Sequence, residues 1–337
     1  MQVEQTMISA SGKTVTVPSF HIAQRKIVIT GKWLKVARLD DEEWIDSQTV
    51  NDPEPFIREL KNASPKVDVF TFAQDLSESQ PKYSFPFEWE DVAAVPITTY
   101  SDWWEALPQE SRKNVRRAGR KGVVVKLASF DDDLVQGIKA IYDETPIRQG
   151  RRFWHYGKDL ESVRQENSSF LDRSNFVAAY CGSELIGFIK IVYVGKIARI
   201  MQILSKNAHL DKHQPNALLA KAMETCCQRG MTHFIYGKYF YGNKGDTPLT
   251  EFKRRNGFQQ LRFPRYFVPL TLKGRVAMAL RLHLGAKNLI PSSLANILLH
   301  ARARFYQRKL PNTPAASGVD GGPEAKTHTE NAANGRI

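Results

Sequence analysis

The stretch "NFVAAYCGSELIGFIKIVYVGKIARIMQILS", residues 175–205, decides the fold. Its first two apolar runs, "NFVAAY" and "ELIGFIKIVYV", flank "CGS" and read as a hairpin turning through Gly182, and "KIARIMQILS" supplies a third consecutive strand. A helix follows over 215–230, "PNALLAKAMETCCQRG". Pro215 stands at its start, Leu218, Leu219, Ala222, Met223 and Cys226 line one face, and Gly230 ends it. "MTHFIYGKYF" (231–240) returns to strand, "DTPLTEFKRRNGF" (246–258) is a compact helix, and "FQQLRF" and "YFVPL" are two antiparallel closing strands.

Upstream, residues 111–126 read "SRKNVRRAGRKGVVVK". Arg112, Arg116 and Arg120 recur every four positions, as do Lys113, Arg117 and Lys121, so the charges share one side of a helix and leave Val115 and Ala118 for the core. Gly122 releases the chain into the strand "VVVK". "SFDDDLVQGIKAIYDET" then carries acids in its first turn and Leu134, Ile138 and Ile141 on its apolar face. Strand and helix alternate, the pattern of a mixed α/β layer. Earlier still, "RKIVITGKWLKVARL" reads as a hairpin, "NDPEPFIRELKNA" as a short helix burying Phe56, Ile57 and Leu60, and "KVDVFTFAQ" and "KYSFPFEWE" as alternating strands. "AAVPITTY" adds another strand, followed by a helix capped by Ser101 and a second starting at Pro108.

The 337 residues carry 48 Lys+Arg against 35 Asp+Glu, a formal net charge of +13, and are 42% hydrophobic, enough for one large core or two ordinary ones. The excess is uneven: residues 252–310 hold thirteen Lys/Arg and no acid. Such an end suits an acidic cofactor, a polyphosphate, RNA or an anionic membrane surface. Cys181, Cys226 and Cys227 form no disulfide framework and no zinc spacing, and read as core thiols. With no basic-then-apolar leader and no run of eighteen apolar residues, the expected location is cytoplasmic, or peripheral to the inner membrane surface.

No GxSxG elbow, HExxH or Walker A sequence occurs. Two polar aromatic loops are the candidate sites. "RQGRRFWHYGK" (148–158) offers Arg151, Arg152, Trp154, Tyr156 and Lys158 for an acidic substrate and His155 as a general base; ordering a surface loop is the competing reading. "YGKYFYGNKGD" (236–246) offers Lys238, Tyr239, Tyr241, Asn243 and Lys244 as an active-site wall, with a structural loop as the alternative. His233 sits in a strand pattern and reads as structural, whereas His209 and His213 flank a helix entrance. No His, Cys and acid spacing suggests a metal.

In its order of elements the chain resembles the GNAT acyltransferase superfamily, and within it the FemAB-like branch, over about residues 100–270. The resemblance rests on "RKNVRRAGRKGVVV" before a strand, on "FVAAYCGSELIGFIKIVYV" through "RIMQILS", on "PNALLAKAMETCCQRG", and on "LTEFKRRNGF" before the closing strands. It implies an α/β fold whose mixed, mostly antiparallel sheet is flanked by helices. The implied domains are an arm over 1–24, an α/β extension or partial second lobe over 25–100, and an acyltransferase domain over 101–272. Basic amphipathic helices over 273–310 and a disordered tail over 311–337 complete the expected division. Packing of those helices on the core is expected, with peripheral membrane contact as the alternative.

The resemblance further implies that Met201, Gln202, Ile203 and Leu204 line a splayed strand edge that accepts the acyl arm of acetyl-CoA or another acyl-CoA. Lys212, His213, Asn216 and Ala217 would meet its phosphates at a helix N-terminus. Two departures stand out. "KNAHLDKHQPNA" replaces the family's glycine-rich entrance, and Phe252–Lys253 replaces its aromatic–Tyr pair, so His155, Tyr239 and Tyr241 are the catalytic candidates, with Tyr236 beside them. The expected function is an N-acyltransferase, an N-acetyltransferase first, acting on an amine of a small molecule, sugar or peptide. The alternatives are an aminoacyl-tRNA-dependent FemAB-like transferase and a non-catalytic RNA-binding protein.

Overall fold

A computed structural model describes residues 3–10, 13–40, 49–76, 78, 80–148, 150–240 and 247–284. The expected tail from 311, the second C-terminal helix, and Tyr241, Asn243 and Lys244 lie outside the described residues. In chain order come β1 (Glu4–Ala10), β2 (Lys13–Ile22), β3 (Arg25–Thr30), β4 (Val36–Leu39), α1 (Glu54–Lys61), β5 (Val69–Ala73), β6 (Phe87–Pro96), α2 (Tyr100–Ala106) and α3 (Gln109–Arg120). Then follow β7 (Val123–Ala128), α4 (Asp132–Tyr142), β8 (Ile147–Arg148), β9 (Arg151–Arg152), α5 (Leu160–Asn167), β10 (Ser174–Cys181), β11 (Glu184–Val194) and β12 (Ile197–Ser205). The last are α6 (Gln214–Gln228), β13 (His233–Ile235), α7 (Pro248–Arg255), β14 (Gln259–Pro269) and α8 (Leu272–Ala279).

Twelve strands form one sheet in the order β1-β2-β3-β4-β5-β14-β6-β13-β12-β11-β10-β7. Every neighbouring pair is antiparallel except β4 with β5 and β12 with β13. The two halves therefore share a plan. In each, an antiparallel meander runs up to a strand whose parallel partner is reached through a helix, α1 in the first half and α6 in the second. Parallel neighbours need such a crossover because a tight turn cannot reverse the chain twice. Residues 4–22, expected as an arm, are instead the outermost hairpin of the first half.

Alternation along the strands sorts the core into layers. On one face Val177, Ala179, Ile189, Ile191, Ile200 and Ile203 pack with residues of α2, α3, α6 and α7. On the other, Phe176, Ala178, Phe188 and Leu204 pack with α4 and α5. The first half has its own cluster of Ile27, Ile29, Phe70, Phe72 and Tyr266 beneath α1.

Three expectations change. "FQQLRF" and "YFVPL" are one eleven-residue strand, β14, because Pro264 fits extended backbone without breaking the run. "KYSFPFEWE" and "AAVPITTY" are likewise not two strands: β6 starts only at Phe87 and continues through Pro96. Tyr83 and Phe85 precede it and fold onto the first-half core, where the backbone N–H groups of Lys82 and Tyr83 donate to Tyr266 Oη at 2.8 and 3.2 Å. Finally, α8 packs Gly274 and Ala277, not its leucines, against the sheet. A Cβ at Gly274 would lie 2.1 Å from the Asp68 carbonyl oxygen, so only glycine allows this approach.

Lys190 holds the β11 side of the second half to the segment after α5. Its buried ammonium donates to the Asn167 and Ser169 carbonyls at 2.9 and 2.6 Å and to Ser169 Oγ at 3.3 Å. Lys190→Met keeps an unbranched, slightly shorter side chain but removes the donor from the buried Asn167 carbonyl and the half-buried Ser169 carbonyl. The expected loss of stability in urea denaturation is about 2 kcal/mol or more, and an unchanged midpoint would contradict this reading of the contact.

Candidate functional site

The sheet opens between β12 and β13. The two strands pair only at Ile197–His233, Ala198–Phe234 and Arg199–Ile235. β13 also pairs with β6 on its other edge, and beyond Ile235 that ladder continues: Tyr236 N–H donates to the Ala93 carbonyl at 2.8 Å and Ala93 N–H to the Gly237 carbonyl at 2.9 Å. Meanwhile β12 continues to Ser205 beside β11. Its register slips on the way, since Ile200 faces Ile191 and Gln202 faces Lys190, leaving Met201 as the extra residue of a bulge. A bulge takes one residue out of the ladder and re-aims its neighbours. Of the expected edge residues, Ile203 faces the α6 layer and Leu204 the α4 layer, while Gln202 reaches Tyr142 on α4.

On the α4 side the loop after β9 brings His155 to this strand. The imidazole is buried, with Nδ1 3.2 Å from Glu166 Oε2 and Nε2 3.4 Å from Gln202 Nε2. A carboxylate at Nδ1 assigns the proton to that nitrogen and leaves Nε2 as the acceptor, facing Gln202 one residue from the bulge. Gln202 Nε2 also donates to Tyr142 Oη at 2.8 Å, and Asn167 Nδ2 donates to the same oxygen at 3.3 Å. Burial pushes the Tyr142 phenol up to about 12, so it stays protonated. Lys158 pairs with Glu166 and lies 3.6 Å from the centre of the Trp154 ring, which packs against His155 at a 35° tilt with centroids 3.6 Å apart. Of the remaining loop residues, Arg152 and Tyr156 are exposed, and Arg151 forms β9.

Across the sheet lies a residue that the sequence marked only as a missing tyrosine. Lys253 on α7 is fully buried, its Nζ donates to the Lys238 carbonyl at 2.6 Å, and it lies 4.5 Å from the centre of the Tyr236 ring. Burial pulls the ammonium down to about 7, against a smaller opposing pull from Asp91. The signal for it was present: Leu249, Phe252, Lys253 and Asn256 are spaced as one helix face, and all four are buried. Tyr239 packs beside the same core, its ring edge-on to Phe240 at 4.9 Å. Lys238 Nζ lies 3.8 Å from Glu90 Oε1.

The α6 entrance has its N–H groups largely committed. Pro215 has none, Asn216 and Ala217 N–H bond to the His213 carbonyl at 3.1 and 3.4 Å, and His213 N–H bonds to Leu210 at 3.1 Å. One turn earlier the Glu144 carboxylate accepts from the N–H groups of Asn207 and Ala208 at 2.8 and 2.9 Å and from Arg148 Nη2 at 3.0 Å. His213 itself occupies left-handed backbone at φ 54°. This turn does not offer the open cradle of amides that a coenzyme A pyrophosphate needs. The Asn216 side chain donates to Asn256 Oδ1 at 3.0 Å, and Ala217 is in the core. Lys121 Nζ binds Asp211 at 3.1 Å, which joins the end of α3 to this entrance. Burial first, then Lys121 and Arg117, pull the His213 imidazole below its ordinary value. Among the described residues no group of three or more His, Cys, Asp or Glu could hold a metal.

No protein-family model and no curated protein matches the chain. Among solved structures, that of L-PGS from Bacillus licheniformis is 14% identical, with a TM-score of 0.50 over 79% of this chain and 88% of that one. FemX is 10% identical, with a TM-score of 0.48 and coverage of 82% and 90%. The C-terminal domain of a putative lysylphosphatidylglycerol synthetase from Agrobacterium fabrum is 13% identical, with a TM-score of 0.48 and coverage of 82% and 88%. These identities speak for the fold alone, a mixed α/β fold that the chain shares with the L-PGS structure.

The environment of Lys253 predicts a pH dependence of stability. Its pKa is about 7 folded and ordinarily 10.5, so between those values the unfolded chain binds more protons and stability rises with pH. In urea denaturation, the wild type is expected to gain on Lys253→Met as pH rises from 7 toward 10. A stability difference that stays flat over this range would show that the lysine keeps its ordinary pKa.

Proposed function

We infer that the chain is an acyltransferase that moves an activated acyl group from an ester onto an amine, with an aminoacyl-tRNA as the donor. The observation that carries the transfer chemistry is the opening between β12 and β13, with the bulge at Met201 on one side and the buried Lys253 behind the other. An acyl carbonyl set against the bulge meets backbone groups outside the ladder, where an N–H can stabilise the oxyanion of a tetrahedral intermediate. The amine nitrogen forms a bond to the carbonyl carbon, and the bond from that carbon to the ester oxygen breaks. A group near pH 7 in pKa exchanges protons in both directions at neutral pH, so Lys253 suits delivery of the proton to the departing hydroxyl. His155, held by Glu166, suits removal of the proton from the amine, entering from the α4 side.

The α6 entrance supports this choice of donor class. With Glu144 seated on the Asn207 and Ala208 amides and Pro215 in the turn, a coenzyme A pyrophosphate has no nest there. An extended polyanion needs none. Lys113, Arg116 and Arg120 stand exposed along one face of α3, and Lys121 ties that helix to the turn carrying Lys212. Such a row suits a nucleic-acid backbone. Acetyl-CoA, the donor first expected, is the second reading, supported by the open strand edge alone.

The test offers radiolabelled aminoacyl-tRNA or acetyl-CoA to the full chain with a panel of amines: a peptide, an amino sugar and an aminolipid. Transfer from aminoacyl-tRNA is expected. Transfer from acetyl-CoA alone would overturn the donor assignment, and tRNA binding without transfer to any amine would leave an RNA-binding protein. Lys253→Met is expected to lower kcat about a hundredfold or more with little change in KM.

A further inference from the structure

Helix α8 presents its surface the wrong way round for a core helix. Gly274 and Ala277 face the sheet, whereas Leu272, Val276 and Leu280, spaced four apart in one row, are 75%, 49% and 61% exposed. Lys273 and Arg275 stand on the two sides of this row. Next to it the turn after β3 puts forward Trp33, itself 60% exposed. That indole is tied to the helix, since Lys273 Nζ donates to the Trp33 carbonyl at 2.8 Å and lies 5.7 Å from the ring centre. The turn is enforced: Gly31 has φ 91°, and a Cβ there would lie 2.0 Å from the Leu34 carbonyl oxygen.

We propose that this face docks the protein on an anionic lipid surface, with Leu272, Val276, Leu280 and Trp33 entering the headgroup boundary. The proposal is independent of the acyl-transfer chemistry. An apolar row with cations on its flanks is the arrangement of a helix lying in the interface, and a tryptophan beside it suits the same depth. The charge selects anionic lipid: Lys32, Arg275 and Arg281 are exposed around the row. The acid beneath it, Asp68, is nearly buried and occupied by Lys273 at 2.8 Å, Thr271 Oγ1 at 2.8 Å and Lys35 N–H at 2.9 Å. Glu88, near His283, is an acid that opposes the attraction. Residues 252–310 contain no acid.

Full-length protein is sedimented with vesicles of phosphatidylcholine, with or without about a third phosphatidylglycerol. Wild type is expected to partition onto the anionic vesicles about tenfold more strongly than Leu272→Ser/Val276→Ser/Leu280→Ser, and less at high salt. The blue shift of tryptophan emission on binding is expected to shrink in Trp33→Phe. Because the three side chains face solvent, the triple variant should keep the wild-type Tm. Equal partitioning of wild type and triple variant would overturn the proposal, including binding carried by other basic segments. So would absence of vesicle binding together with a lower Tm in the variant, which would mean that the chain covers this face itself. A wild-type dimer lost in the variant, again without vesicle binding, would assign the face to a second copy and overturn it equally.

Discussion

Pairing β12 with β13 at only three positions is the constraint on which the rest of the site depends. Parallel strands in contact want to continue, because every unpaired N–H and carbonyl left away from water is costly. Here β13 pairs with β6 along its whole length and that ladder runs on through Tyr236 and Gly237, while β12 beyond Arg199 keeps β11 as its strand partner. The bulge at Met201 compounds the opening by twisting β12 where it loses its neighbour. Titratable groups stand on the two faces of the sheet beside these strands: His155 with Glu166, reaching β12 through Gln202, and Lys253 behind Tyr236, the residue after β13.

Much of this was legible in the residues, and the parts that were not share a cause. The three strands of 174–205 and helices α6 and α7 follow from local periodicity and their punctuation by glycine and proline, and they form as read. Lys253 is equally local, one position of a buried i, i+3, i+4, i+7 row, but the family pattern marks it only by the tyrosine it lacks. By contrast, the partners of His155 come from α5 and β12, eleven and forty-seven residues away, and no pattern in the loop announces them. The orientation of α8 is another tertiary effect. Its apolar residues suggest a core-facing helix, but the close approach of Gly274 to the Asp68 carbonyl turns them outward.

Charge has a similar double reading. The basic run over 111–121 is a surface on a helix whose Ser111 and Ala118 are buried, and several of its cations are spent on neighbours: Arg112 on Glu105, Arg117 on Glu110 and Lys121 on Asp211. What remains for a polyanion is the row Lys113, Arg116 and Arg120, with Arg116 lying 5.6 Å from the centre of the Trp104 ring. At the α6 entrance the chain supplies its own anion, Glu144, held by Arg148, whose Nη1 also donates to the Ser205 carbonyl at 3.1 Å. One ion pair thereby fixes the end of β12 and fills the turn that follows it.

The central claim is that a lysine at this opening exchanges protons near neutrality. Titration of the lysine Cε resonances in protein labelled with ¹³C-lysine tests it directly. One resonance, absent from Lys253→Met, is expected to move with a midpoint near 7. If the resonance assigned to Lys253 instead moves at the ordinary lysine value of about 10.4, the account of the site is contradicted.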